Sequence, residues 1–321
     1  MTQQSFRWSS LEPDSTRLFQ PSRRVTGKGE YRSLTFHEVE SKTLINQMPN
    51  SSRLPFLYTI NPYRGCSHAC TYCFARPTHE YLGFDIAGDF DTQIVVKTNA
   101  IALARAETAP GRWAGERIAM GTNTDPYQKA EGEYGLTRGI VEVLVERHNP
   151  FSILTKSTLA LRDLDLLEEA ARATRVSVDF SIATLDENVW RETEPGTPHP
   201  RQRIAAVKRL NEAGVPSGVL VAPLLPRISD AEEQVAEITR AAEAAGATFV
   251  TPMLLFLSPP MKEHWMSRLT SHHPDLRQHY ESLFRNRTRL QPVSVSPRNR
   301  SERPPTEGAS TSEEVGQLGL F

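Results

Sequence analysis

Cys66, Cys70 and Cys73 fall within eight positions and are the three cysteines of a 321-residue sequence. Thiols separated by three and then two residues do not easily meet disulfide geometry, and an odd number leaves one over. Thiolates this close repel one another and cost free energy to desolvate unless a cation holds them, so the spacing points to a metal or a metal cluster. Structural zinc asks for a fourth protein ligand, here either His68 inside the loop or the more distant His79. A four-iron, four-sulfur cluster normally takes four thiolates. With three, one iron is left open for a small molecule, as a catalytic metal keeps an open position.

The surrounding residues narrow the choice. Cys-x3-Cys-x2-Cys with Tyr72 just before the last cysteine resembles the signature of the radical S-adenosylmethionine superfamily. The longer context is Asn61-Pro-Tyr-Arg-Gly-Cys66, Cys70-Thr-Tyr-Cys73-Phe-Ala-Arg76, Gly121-Thr-Asn-Thr-Asp-Pro-Tyr-Gln128, Thr155-Lys-Ser157 and Glu194-Pro195. It is similar to the branch that contains spore photoproduct lyase and uncharacterised relatives, from about residue 40 to about residue 260.

The resemblance implies a 4Fe-4S cluster on Cys66, Cys70 and Cys73, with S-adenosylmethionine chelating the open iron through its amino and carboxylate groups. Reductive cleavage then releases a 5′-deoxyadenosyl radical that abstracts hydrogen from a substrate the sequence does not name. An external electron donor of the flavodoxin or ferredoxin type is implied as partner. Further site residues follow from the same likeness. The backbone at Tyr72 would recognise adenine, Thr122, Asn123 and Thr124 the methionine amino group, and Lys156 the carboxylate. Arg64 and Arg76 would stabilise the cluster's negative charge, and Glu194 with Arg203 would have a structural or substrate-gating role. The lyase itself uses an additional cysteine as hydrogen donor, and this sequence has none outside the loop, nor any for an auxiliary cluster. Two alternatives stand beside the radical reading: a DNA-lesion repair lyase, and a zinc-containing nucleic-acid-binding protein without catalysis.

With 37 basic and 38 acidic residues the net charge is −1, so no global field favours nucleic acid or an anionic membrane. The first twenty residues contain neither a signal-peptide core nor the ~20-residue apolar run of a bilayer span, and a free thiol cluster asks for a reducing compartment. The expected location is the cytoplasm.

Elements that present the motifs are legible as an alternation. Apolar or β-branched runs at 56–60, 94–97, 117–120, 151–155, 176–181, 218–222 and 248–251 predict strands. Helical periodicity occupies 136–148, 161–173, 200–214 and 230–246. Pro200 suits a first helical position, Asp230 with Glu233 reads as a capping box, and Gly214 and Gly246 read as residues just past helix ends. Repeated βα units require parallel strands, hence a doubly wound sheet or a barrel. The resemblance selects a partial (β/α)6 barrel with the cluster at its C-terminal mouth, where strand ends carry chemistry. Along 176–184, Ser177, Asp179, Ser181 and Thr184 follow a mostly period-two polar pattern, which makes Ser181 a candidate ribose or carboxylate contact. Residues 1–50 predict an irregular N-terminal extension, 51–290 the barrel and 291–321 a disordered tail.

Overall fold

A computed structural model of the chain describes residues 20–49 and 56–290. The chain enters through β1 (Arg23–Thr26), β2 (Thr35–Val39) and β3 (Ile45–Gln47), then β4 (Tyr58–Ile60) and β5 (Tyr63–Arg64). The cysteine loop and a 3-10 turn (Arg76–Leu82) follow, then α1 (Gly88–Thr92), β6 (Gln93–Lys97) and α2 (Ala100–Glu107). Next come β7 (Ile118–Met120), α3 (Lys129–Tyr134), α4 (Leu136–Glu146), β8 (Phe151–Thr155), α5 (Leu164–Ala173) and β9 (Val176–Ser181). The chain closes with α6 (Glu187–Thr193), α7 (Pro200–Glu212), β10 (Val219–Leu224), α8 (Glu232–Ala244), β11 (Val250–Leu254), α9 (Pro259–His272) and α10 (Arg277–Leu283).

Six parallel strands in the order β4-β7-β8-β9-β10-β11 form the larger sheet, with β3 antiparallel on its β4 edge. Each of the first five is followed by a helix on the way to the next, the arrangement of a (β/α)6 unit; β4 and β11 do not pair, so the sheet is open as in a partial barrel. Strands covered on both sides are apolar throughout, and all of β7 is buried. β9 keeps its polar alternation: Val176, Val178 and Phe180 are buried, whereas Ser177 joins Arg117 (3.2 Å) to Asp179 (3.0 Å) and Asp179 accepts from the Gly218 amide (2.9 Å). Ser181, the last residue of that row, is thereby delivered to the C-terminal strand ends.

Three expectations need correction. Residues 94–97 are strand but no part of the larger sheet: β6 lies in a second sheet, β1-β2-β6-β5, parallel to β2 and antiparallel to β5. For the same reason the N-terminal extension is not irregular where it is described, since β1 and β2 are ordered by pairing that their own polar sequence does not announce. Asp230 does not cap α8; its carboxylate accepts from the Arg227 amide (2.6 Å) and the helix starts from Ala231. Pro200 does open α7, and Gly214 and Gly246 do sit past helix ends with φ of 78° and 76°. The expected tail at 291–321 lies outside the described residues.

Two apolar clusters matter for the site. The main core runs between the larger sheet and its helices, while a second gathers Leu225, Leu257, Met261, Trp265, Leu269 and Tyr280 around Cys70 and Tyr72. The C-terminal helices therefore cover the cysteine loop. Among the described residues no helix is long and apolar enough to cross a membrane.

Candidate cluster and cofactor site

Cys66 and Cys70 are buried and Cys73 half-buried, and all three are free thiols. Burial pushes each of them up; Asp125 and the neighbouring thiols add to this at Cys66, while Lys156 opposes it at Cys70. Such a trio becomes thiolate only beside a cation.

Four sets of contacts fix the loop. Gln128, fully buried, accepts from the Ser67 amide (3.0 Å) and donates to the Gly65 carbonyl (2.8 Å), and the Lys129 amide donates to Ser67 Oγ (3.1 Å). Asp125 accepts from the Tyr127 amide (2.9 Å), Thr155 Oγ1 (2.7 Å) and the Lys156 amide (2.7 Å), and faces His68 Nδ1 at 3.3 Å. Burial would raise its carboxyl, but His68 and these donors outweigh burial and hold it below the usual range. On the far side the Thr71 amide donates to Thr193 O (2.9 Å) and the Gly196 amide to His68 O (3.0 Å). A Cβ on Gly196 would lie 2.1 Å from Ser67 O, so only glycine allows this approach. Arg76 completes the set, donating to Cys70 O (2.9 Å), Ile86 O (2.9 Å), Ala87 O (2.8 Å) and Asp91 (2.8 Å). Its guanidinium holds the loop backbone and a carboxylate, and its charge still favours the Cys73 thiolate against burial, in line with its expected role.

Beside the loop stands a buried carboxylate, Glu194. One oxygen accepts from Tyr72 OH and faces Lys156 Nζ at 2.9 Å; the other faces Arg203 at 2.6 Å. Arg203 also donates to Ser181 O and Pro198 O (both 3.0 Å) and bonds Thr197 Oγ1. Burial would push the Glu194 carboxyl up, but Arg203 and then Lys156 reverse this and hold it down at about 2. Lys156 also donates to Ser181 Oγ (2.7 Å), and its third contact, to Ala222 O, is long at 3.5 Å. Its side chain is 13% exposed against 1% for Glu194 and 0% for Arg203, so Lys156 is the member that opens outward.

Tyr72, Lys156 and Ser181 are therefore brought together. Gly121 turns the chain out of β7 with φ of 84°, where a Cβ would sit 1.9 Å from Leu154 O, and so places Thr122, Asn123 and Thr124 at the mouth. Thr122 Oγ1 accepts from Asn61 Nδ2 at 3.5 Å and Asn123 is half-buried. The Thr124 hydroxyl is buried and donates to Tyr63 O (2.9 Å). From sequence, Asn61, Asp125 and Gln128 stand inside the quoted motifs without a role and Gly196 is not singled out; Asn61 Oδ1 is buried without a partner among the described residues. Asp125-Pro126 reads as a turn, and no local signal says that the carboxylate reaches back to His68.

Residues 60–238 match the Radical SAM superfamily. An uncharacterised protein of Mycobacterium tuberculosis, Rv2578c, is 48% identical over 263 residues, covering 82% of this chain and 77% of the relative. One from Methanocaldococcus jannaschii, MJ0683, is 32% identical over 59% of this chain and 68% of its own. Among solved structures, a spore photoproduct lyase variant superposes with a TM-score of 0.55 at 20% identity, covering 74% of this chain and 66% of the lyase. Another, with AdoMet and dinucleoside spore photoproduct bound, gives 0.54 at 20% identity over 73% and 66%. At that identity the likeness is one of fold, and the chain spans just under two thirds of the lyase. The match over residues 60–238 contains the three cysteines and the whole Glu194 group, and the chain belongs to the radical SAM superfamily.

Proposed function

We propose that Cys66, Cys70 and Cys73 hold a 4Fe-4S cluster with one iron open to S-adenosylmethionine, and that the enzyme abstracts hydrogen from a carbon of its substrate. The observation that carries this reading is that the three-cysteine loop lies inside the residues that match the Radical SAM superfamily, with Lys156, Ser181 and Glu194 gathered beside Tyr72. Zinc asks for a fourth protein ligand, and His68, the nearest in sequence, is turned to Asp125.

The chemistry supplied there, once loaded, is one-electron reductive cleavage of S-adenosylmethionine to a 5′-deoxyadenosyl radical, with the electron from a donor of the flavodoxin or ferredoxin type. This chain's residues do the positioning. Lys156 receives the cofactor carboxylate with the donor now spent weakly on Ala222 O, while Glu194 and Ser181 hold its other two. The strand end Thr122–Thr124, with Asn61 Oδ1 beside it, receives the amino group, and the backbone at Tyr72 the adenine. The second apolar cluster over Cys70 and Tyr72 keeps water out. With no cysteine beyond the loop in this sequence, no protein thiol returns hydrogen to a substrate radical, which weighs against a lesion repair of the thiol-dependent kind.

Anaerobic reconstitution tests the metal. About four irons and four sulfides per chain are expected for the wild type and a sharp loss on replacing any of the three cysteines; one zinc and no sulfide would overturn the proposal.

A further inference from the structure

The helices that cover the cysteine loop differ in charge from the rest of the chain. Residues 259–290 hold six cations, Lys262, Arg268, Arg277, Arg285, Arg287 and Arg289, against three carboxylates, Glu263, Asp275 and Glu281. The whole sequence has 37 basic and 38 acidic residues, so this hairpin is a local positive face. Between α9 and α10 runs an open groove of about 610 Å³. Of its charged lining, Arg277 and Glu281 pair with each other (2.9 Å). Lys262 and Arg285 make no side-chain hydrogen bond or ion pair among the described residues, and they outnumber the one unmatched carboxylate of the groove, Glu263.

The groove also connects to the loop. Its apolar lining is Met266 and Phe284, and both pack in the cluster that holds Cys70, Tyr72 and Cys73. Thr71, between the second and third cysteines, lines a small cavity with Trp265, Arg268 and Leu269, so α9 lies directly against the loop. One helix layer thus separates the groove from the thiols. The turn that follows the loop has the opposite charge: residues 77–92 carry Glu80, Asp85, Asp89 and Asp91 and no lysine or arginine. An acidic protein is repelled there and attracted at the hairpin.

We propose that the α9–α10 groove is the docking face for the electron donor, an acidic protein of the flavodoxin type. The proposal rests on the reading above in taking the loop as the seat of the cluster. An apolar lining inside a charged rim is the anatomy of a protein interface. Small, weakly held contacts suit a donor that must leave after each transfer. The donor gives up one electron and the loaded site takes it, with no proton or group transferred.

The test compares two reductants on reconstituted full-length protein, with 5′-deoxyadenosine as the readout: dithionite, which needs no docking face, and reduced flavodoxin. Lys262→Glu/Arg285→Glu is set beside Arg172→Glu/Lys208→Glu, which makes the same change of charge at exposed positions on α5 and α7. At limiting flavodoxin the groove variant should run about tenfold or more below wild type and the control within about threefold of it. Raising salt to about 0.5 M should narrow that difference. With dithionite all three should agree within about twofold, because the loop itself is untouched. Equal flavodoxin-driven rates in the groove variant and wild type, an equal loss in the control, a matching loss with dithionite, or no flavodoxin-driven turnover by the wild type would each overturn the proposal. So would an oligonucleotide that the wild type binds more tightly than flavodoxin, or a dimer that the groove variant loses, since either gives the face another occupant. No 5′-deoxyadenosine with dithionite from wild type holding a full cluster would instead remove the radical reading. Calorimetric titration with flavodoxin still reads the face in that case: binding weakened about tenfold in the groove variant supports the proposal, and equal binding overturns it.

Discussion

Two buried carboxylate networks in this chain use the same residue types and are held in opposite ways. At the back, Glu131 accepts from the Thr137 amide (2.8 Å), the Arg138 amide (3.2 Å), Tyr63 OH (2.6 Å) and Arg162 (2.7 Å). Its neighbour Asp163 accepts from Tyr127 OH (3.0 Å), Arg138 (3.1 Å) and Arg162 (2.8 Å). The amides belong to the first turn of α4, a favourable end for a negative charge, and both arginines are 32% exposed. At the front, Glu194 is held by side chains alone, its cations are buried or nearly so, and Lys156 stands between it and the opening. The two α4 amides brace Glu131, whereas side chains alone around Glu194 make an arrangement that a ligand can re-partner. The back network ties the segments before and after the cysteine loop to α4, and the front one presents charge.

The largest effect should come from the loop both networks serve: Cys66→Ala, Cys70→Ala or Cys73→Ala each abolishes iron uptake and S-adenosylmethionine cleavage. One such variant with normal iron and normal cleavage would sink the assignment. Next, Glu194→Gln leaves Lys156 and Arg203 buried without their counter-charge, at a cost of about 3–5 kcal/mol in denaturant unfolding. Glu131→Gln, whose one arginine partner, Arg162, reaches solvent and keeps Asp163, should cost about 1–3 kcal/mol. Equal losses would erase the distinction between the networks. Lys156→Ala should weaken S-adenosylmethionine binding at least about tenfold with iron content unchanged, whereas Arg162→Ala at the back leaves it alone; unchanged affinity in Lys156→Ala removes that residue from the site.

Acid sharpens the comparison further. Glu194 is held at about 2 when folded, below the usual value near ~4.3. A depressed carboxylate stabilises fully above its unfolded value and loses that contribution as pH falls through the folded one. Wild-type stability should therefore drop between about pH 4.5 and pH 2, with Asp125 acting in the same direction, and Glu194→Gln should flatten part of the slope. An identical acid limb in the variant would contradict the ion-pair account. The smallest effect is expected of Tyr72→Phe, about 0.5–1.5 kcal/mol, because Lys156 still satisfies the oxygen it leaves.

What could be read from sequence divides along a physical line. The cysteine spacing is local chemistry, and the strands from β7 to β11 carry their own apolar runs, so both were legible. Tyr72, Lys156 and Ser181 stood out one at a time, but that they meet at Glu194 depends on contacts spanning 25 to 122 residues, which periodicity does not encode. β1 and β2 were hidden because Arg-Arg-Val-Thr becomes a strand only when β2 pairs with it, and β2 in turn needs β6. The run at 94–97 reads as a barrel strand yet joins the smaller sheet, since sequence order does not say which edge a strand joins.

The account turns on whether the loop and the Glu194 group together handle S-adenosylmethionine. The direct measurement is chromatography for 5′-deoxyadenosine after anaerobic reconstitution and dithionite reduction, comparing wild type with Lys156→Ala at limiting S-adenosylmethionine. The account predicts 5′-deoxyadenosine from the wild type and much less from the variant at equal iron content. Protein with a full, reducible cluster that yields none, or a variant that matches the wild type, would contradict it.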